Sequence, residues 1–164
     1  MAKLRSERYP SFLGVRTGYI WRGSAAICLD QDARVLLVHG GDRGDVKRWG
    51  LPGGGLKDNA ESFEACCERE VLEETGCRVA AERLVRVKTH SPALPSAFQC
   101  RIFDVRLVGG VPQPQDPDGE VDRVGWFAAD ELERLDFHFP EDRMLLLDYL
   151  RSSAPQPDGT GAGS

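Results

Sequence analysis

Three glutamates set close together, Glu70, Glu73 and Glu74, are the residues of this chain whose type and spacing could do chemistry. They end a segment, Gly55 to Cys77 (GLKDNAESFEACCEREVLEETGC), that holds seven acidic side chains against two basic ones, Lys57 and Arg69. On a helix, positions 63, 66, 67, 70 and 74 follow the i, i+3, i+4 spacing and share one stripe, with 73 at its border. The stripe starts with Phe63, Cys66 and Cys67, which belong in a core, and ends in the glutamates. Carboxylates on an inward face raise one another's pKa unless a cation is near, so the arrangement wants a divalent metal. Hard oxygen donors suit Mg²⁺ or Mn²⁺, and Mg²⁺ commonly completes its shell with waters and substrate phosphates. A polyphosphate substrate follows. Gly53, Gly54 and Gly55 precede the segment, and a backbone without side chains lets a carbonyl join the metal shell. A solvated acidic helix face paired with Lys and Arg is the competing reading of the same residues.

The elements that must position these groups are legible as patterns. From about Ser62 to Thr75 the composition is helical, with Gly76 suited to the residue just past the end. Ser62 is a candidate N-cap, and Asp58 with Glu61 also fits a capping-box spacing. Ser24 to Leu29 and Arg34 to His39 read as two strands joined tightly across Asp30-Gln31-Asp32, a hairpin signal. Val79 to Thr89, Ala97 to Val108 and Val121 to Phe127 read as further strands, and Asp130 to Leu135 and Glu141 to Leu150 as helical. Gly40 to Lys47, Ser91 to Ser96 and Gly109 to Gly119 read as connections, and the three glycines as a loop. Strands on both sides of one central helix give an α+β class.

At 164 residues and 41% hydrophobic the chain has material for one core and not for two full domains. The expected division is an N-terminal extension over 1–18, one domain over 19–151 and a tail without order over 152–164, where Pro, Gly and Ser dominate. A net charge of −5 argues against a partner bound through general basic charge, so no stable nucleic-acid partner is expected. No apolar run approaches the roughly 20 residues that cross a bilayer, and no signal-like segment follows Met1, so the expectation is a cytoplasmic protein without a membrane partner. Cys28, Cys66, Cys67, Cys77 and Cys100 include no Cys-x-x-Cys pair and read as buried free thiols.

Gly55, Glu61 and the run Arg69-Glu70-Val71-Leu72-Glu73-Glu74-Thr75-Gly76-Cys77 resemble the Nudix box, G-x5-E-x7-R-E-U-x-E-E-x-G-U with U a bulky aliphatic residue. Cys77 at the last aliphatic position is the one departure. The flanks Val35 to Val38, Trp49 to Gly54 and Glu120 to Phe127 resemble the family as well. The resemblance implies an α/β/α sandwich around a central mixed β-sheet. It also implies hydrolysis of a nucleoside diphosphate linked to another moiety, assisted by Mg²⁺ or Mn²⁺. Carried over by position, Glu70 and Glu74 are metal ligands, Glu73 is a ligand or the general base, and the carbonyl of Gly54 is a further ligand. Glu61 would pair with Arg69, which would orient the catalytic glutamates. Glu120, ahead of Trp126-Phe127, is the second candidate for handling the attacking water.

Substrate choice lies outside the box. Pro92, 15 residues past Cys77, matches a proline associated in the family with ADP-ribose hydrolysis. ADP-ribose or a nucleotide sugar therefore leads. An oxidised nucleoside triphosphate follows, and a nucleotide sensor without turnover is the third reading. Trp21, Trp49 and Phe98 are candidates to stack a base. Arg43, Lys47 and Arg48 make too small a basic cluster for an RNA track. A homodimer is expected on the resemblance alone.

Overall fold

Odd and even residues of the central strands face different helices, and this alternation builds the layers. The computed structural model describes residues 21–41, 46–92, 98–117 and 119–153. In chain order these form β1 (Trp21–Cys28), β2 (Val35–Gly40), β3 (Arg48–Gly50), β4 (Gly53–Gly55), α1 (Phe63–Thr75), β5 (Arg78–Lys88), β6 (Phe98–Gly109), β7 (Val121–Phe127) and α2 (Pro140–Ser153), with a 3₁₀ turn at Leu132–Arg134. On one side, Ala26 and Cys28 of β1, Leu36 of β2 and Phe103 and Val105 of β6 pack on Phe63, Cys67 and Val71 of α1. On the other, Ile27, Val35, Leu37, Phe98, Cys100 and Ile102 pack on Leu145 and Leu146 of α2. The expected α/β/α layering with a mixed sheet is thus present.

The mixed sheet has the order β4-β1-β6-β5, with β1 and β6 parallel and the other pairs antiparallel. A second, antiparallel sheet has the order β3-β2-β7. The expected hairpin between the first two strands does not form as a ladder. The turn is there, closed by Asp30 Oδ1, which accepts the N–H groups of Asp32 and Arg34 at 2.9 Å each. Only the single bridge Leu29–Val35 links the strands beyond it. β4 and β6 occupy both edges of β1, so β2 pairs elsewhere.

Two further differences have local causes. The glycines read as a loop are extended as an edge strand, because β1 offers them a hydrogen-bonding edge and a Cβ at Gly53 would come within 2.2 Å of the Ser24 carbonyl oxygen. Asp130 to Leu135 holds only the short 3₁₀ turn, while α2 runs to Ser153, two residues into the stretch read as tail. The α1 boundaries agree with the sequence reading. Ser62 Oγ accepts the Ala65 N–H at 3.1 Å, and Gly76, at φ 73°, donates its N–H to Leu72 O at 2.9 Å. The 1–18 extension lies outside the described residues, and no described helix is long and apolar enough to cross a membrane.

Candidate active site

α1 lies over the glycine edge strand β4, and its buried stripe is the one the spacing marks out: Phe63, Cys66, Cys67, Glu70, Val71 and Glu74. Glu70 and Glu74 are 4% and 1% exposed, so two carboxylates are taken out of water beside a bare backbone. Glu70 lies against Gly54, where a Cβ would come within 2.5 Å of its carboxyl carbon. Glu74 Oε2 accepts the Gly53 N–H at 3.4 Å. Glu73, at the border of the stripe, keeps 41% of its side chain exposed.

One guanidinium organises the group. Arg69 donates Nε to Glu61 Oε1 at 2.7 Å and Nη2 to Glu61 Oε2 at 3.0 Å. Nη1 reaches Glu70 Oε1 at 2.8 Å and Glu73 Oε2 at 3.4 Å, and Nη2 also donates to the Gly55 carbonyl at 3.0 Å. Burial by itself pushes the Glu61 carboxyl up, but Arg69 and the Lys57 N–H, at 2.8 Å, hold it below the usual range. The hydrogen bond to Glu61, and then the charge of Glu70, keep Arg69 in its charged form. Glu61 itself is placed by a turn in which Asp58 Oδ1 accepts the N–H groups of Ala60 and Glu61 at 2.9 and 3.0 Å.

Among the described residues no three His, Cys, Asp or Glu side chains form a ready-made metal cage. The donor set suits a hard cation none the less. Two buried carboxylates next to strand carbonyls, with a third carboxylate at the solvent side, match the sites of Mg²⁺, which combines one or two carboxylates with waters and phosphates. The Gly54 carbonyl, expected to take part, has two neighbours of its own. It accepts the Cys66 thiol at 3.4 Å, and a Cβ at Gly23 of β1 would come within 2.3 Å of it.

The remaining expected residues are placed by other parts of the fold. Glu120 immediately precedes β7, with its carbonyl accepting the Gly41 N–H at 3.2 Å and its own N–H donated to Asp116 Oδ2 at 2.9 Å. The segment before it runs past the C-terminus of α1, where Gln113 and Gln115 donate their N–H groups to Thr75 O and Glu74 O at 2.8 and 3.5 Å. The anchoring roles of Gln113 and Gln115 carried no signal in the sequence, since both act through main-chain N–H groups, whereas Asp-Pro-Asp-Gly at 116–119 carries a turn signature. Trp49 is half-buried in the second sheet, edge-on to Phe127 at 4.7 Å and flanked by Arg123 at 5.3 Å. Phe98 does not fit the base-stacking role, since it is 3% exposed in the α2-side core and meets Trp21 edge-on at 6.2 Å. The half-buried Trp21 ring lies over Gly23 and Gly55 instead, where a Cβ would come within 2.4 and 3.2 Å of it. Pro92 stands exposed in the turn after β5.

The NUDIX domain model matches residues 21–148, which contain every group just described. The "MutT-like protein" of Streptomyces ambofaciens is 31% identical over 132 residues, 80% of this chain and 77% of that protein. A Bacillus subtilis (strain 168) protein named "Putative 8-oxo-dGTP diphosphatase" is 41% identical over 66 residues, 40% of this chain and 42% of its own length. Among solved structures, a NUDIX hydrolase from Nitrosomonas europaea superposes with a TM-score of 0.70 at 25% identity, covering 89% of this chain and 98% of its own. An ADP-ribose pyrophosphatase from Streptococcus suis gives 0.64 at 27% identity, covering 84% and 97%. Buried glutamates, an arginine that gathers them and a match over most of the chain lead to one assignment: this protein belongs to the Nudix hydrolase family.

Proposed function

We propose that the chain hydrolyses a phosphoanhydride bond in a nucleoside diphosphate linked to another moiety, with Mg²⁺ or Mn²⁺ held by Glu70 and Glu74 and assisted by Glu73 and a β4 carbonyl. The observation that carries the reading is the pair of glutamates at 4% and 1% exposure, set against the bare backbone of Gly53 and Gly54, with Arg69 Nη1 donated to Glu70 at 2.8 Å. The metal, when bound, neutralises charge that spreads over phosphate oxygens as water attacks phosphorus. The chain's own residues do the rest. Arg69, braced by Glu61, holds Glu70 and Glu73 in place. Glu73, with much of its carboxylate open to solvent, orients the attacking water and takes its proton. Glu120 is the alternative for that step, because its loop is anchored on the Glu74 carbonyl through Gln115.

ADP-ribose or a nucleotide sugar is the first substrate reading, supported by Pro92 and by the likeness to the Streptococcus suis pyrophosphatase. An oxidised nucleoside triphosphate is the second, supported by the names of the Bacillus subtilis and Streptomyces ambofaciens relatives. Trp21 and Trp49 are the half-buried rings available to a base. Incubation with Mg²⁺ and ADP-ribose, nucleotide sugars, and normal and oxidised triphosphates separates the two. AMP from ADP-ribose supports the first, and pyrophosphate from a triphosphate supports the second. Tight binding with no turnover across the panel overturns the hydrolase reading in favour of a nucleotide sensor.

A further inference from the structure

We infer that the backbone oxygen that joins Glu70 and Glu74 in holding the cation belongs to Gly53 and not to Gly54, so the glycine strand sits one residue out of step with the motif count. The inference rests on the proposed metal-dependent reading and concerns which atom of this chain serves it.

Counting back from Glu61 puts Gly55 at the first motif position and Gly54 in the donor role. Strand geometry assigns the roles differently. In an antiparallel ladder, hydrogen-bonded pairs alternate with non-bonded ones, and both main-chain polar groups of a residue point to the same side. Ala26 N–H bonds Pro52 O at 3.0 Å, and Leu56 N–H bonds Arg22 O at 2.9 Å. Ser24 and Gly54 are paired midway between these two. By the alternation they are a bonded pair, so the Gly54 carbonyl turns toward β1. Its closeness to the Cβ position of Gly23, at 2.3 Å, and the Cys66 thiol donated to it at 3.4 Å say the same.

Gly53 and Gly55 then present their polar groups to the outer edge of β4, which ends its sheet. Both observed contacts agree: the Gly53 N–H meets Glu74 Oε2 at 3.4 Å, and the Gly55 carbonyl accepts Arg69 Nη2 at 3.0 Å. A cation at Gly55 O would stand against the Arg69 charge. Gly53 O shares its edge with Glu74 and is flanked by no such guanidinium in the contacts of Arg69. Between the strand and Glu61 the chain turns on Asp58, whose Oδ1 accepts the Ala60 and Glu61 N–H groups, so Glu61 keeps its grip on Arg69 whichever strand carbonyl faces the glutamates.

Crystals of the full chain soaked in Mn²⁺, with data collected at the manganese edge, test this directly. The expected result is an anomalous peak within coordination distance of Gly53 O and the carboxylates of Glu70 and Glu74, with Gly54 O still facing β1. A peak ligated by Gly54 O overturns the inference and leaves the hydrolase reading standing. No peak at these glutamates overturns both. In solution, titration of labelled protein with Mg²⁺ should move the carbonyl ¹³C resonance of Gly53 more than that of Gly54, and the reverse order counts against the assignment.

Discussion

Arg69 grips Glu61 side-on through two hydrogen bonds, and the nitrogen left over on the same guanidinium reaches Glu70 at 2.8 Å. The placement of a proposed metal ligand therefore depends on a residue eight positions before Arg69, outside the helix that carries both. A planar fork can serve these partners together, whereas an ammonium cannot. Arg69→Lys should retain the charge, lower kcat about tenfold or more, equivalent to about 1.4 kcal/mol, and change KM little. Steady-state kinetics on whichever substrate the panel identifies provide the check.

The same pair sets a pH dependence of stability. Glu61 has its carboxyl held below the ordinary value, so the folded state binds its proton less readily than the unfolded state does. Its contribution is complete above the unfolded value of about 4.3 and disappears as the pH falls through the lower folded value. Glu61→Gln should cost about 1–3 kcal/mol near neutrality and lose less stability than the wild type on acidification. Urea denaturation of both proteins between about pH 3 and about pH 7 measures the difference.

Glu74→Gln removes a charge from a side chain that is 1% exposed without changing its shape. Turnover should fall about a hundredfold or more while the melting temperature stays near or above that of the wild type, because a buried carboxylate without its cation is costly to keep. Near-normal turnover would remove Glu74 from the metal site.

Gly54→Ala tests the contact between strand and helix. The added methyl would meet the Glu70 carboxyl at 2.5 Å, so the carboxylate or the strand must shift. A loss of about 1–3 kcal/mol is expected, together with weaker Mn²⁺ binding by titration calorimetry. Unchanged stability and binding would show that Glu70 does not need the bare backbone.

All five cysteines are buried and free. Burial pushes the thiols of Cys28, Cys66 and Cys100 up to about 12, so thiolate is scarce at neutral pH. A thiol reagent should label the native protein slowly and all five sites once it is denatured. Rapid labelling of one site in the native state would contradict its burial.

The local features of the site were legible in the residues themselves. The stripe from Phe63 to Glu74 depends only on helical periodicity, and the helix ends at Ser62 and Gly76 depend on side-chain capping and on φ. The apolar runs of β1 and β2 and the alternating positions of β6 likewise marked strands, which α1 and α2 cover on their two faces. The Glu61–Arg69 pair is the one that the resemblance to the Nudix box implied.

What spacing along the chain could not supply was the identity of hydrogen-bonding partners far away in sequence. Glycine has low strand propensity, so Gly53 to Gly55 became a strand only because the edge of β1 was open to it. The same pairing decided that Gly54 O faces its neighbour strand while Gly53 and Gly55 face outward, an orientation that no count along the chain can give. Occupation of both β1 edges sent β2 into a second sheet, and with it Trp49 and β7, which Glu120 immediately precedes. Burial in the α2-side core withdrew Phe98 from any stacking role. Residue types and their periodicity determined which groups could do chemistry, and strand pairing, a property of the whole fold, decided which way each of them points.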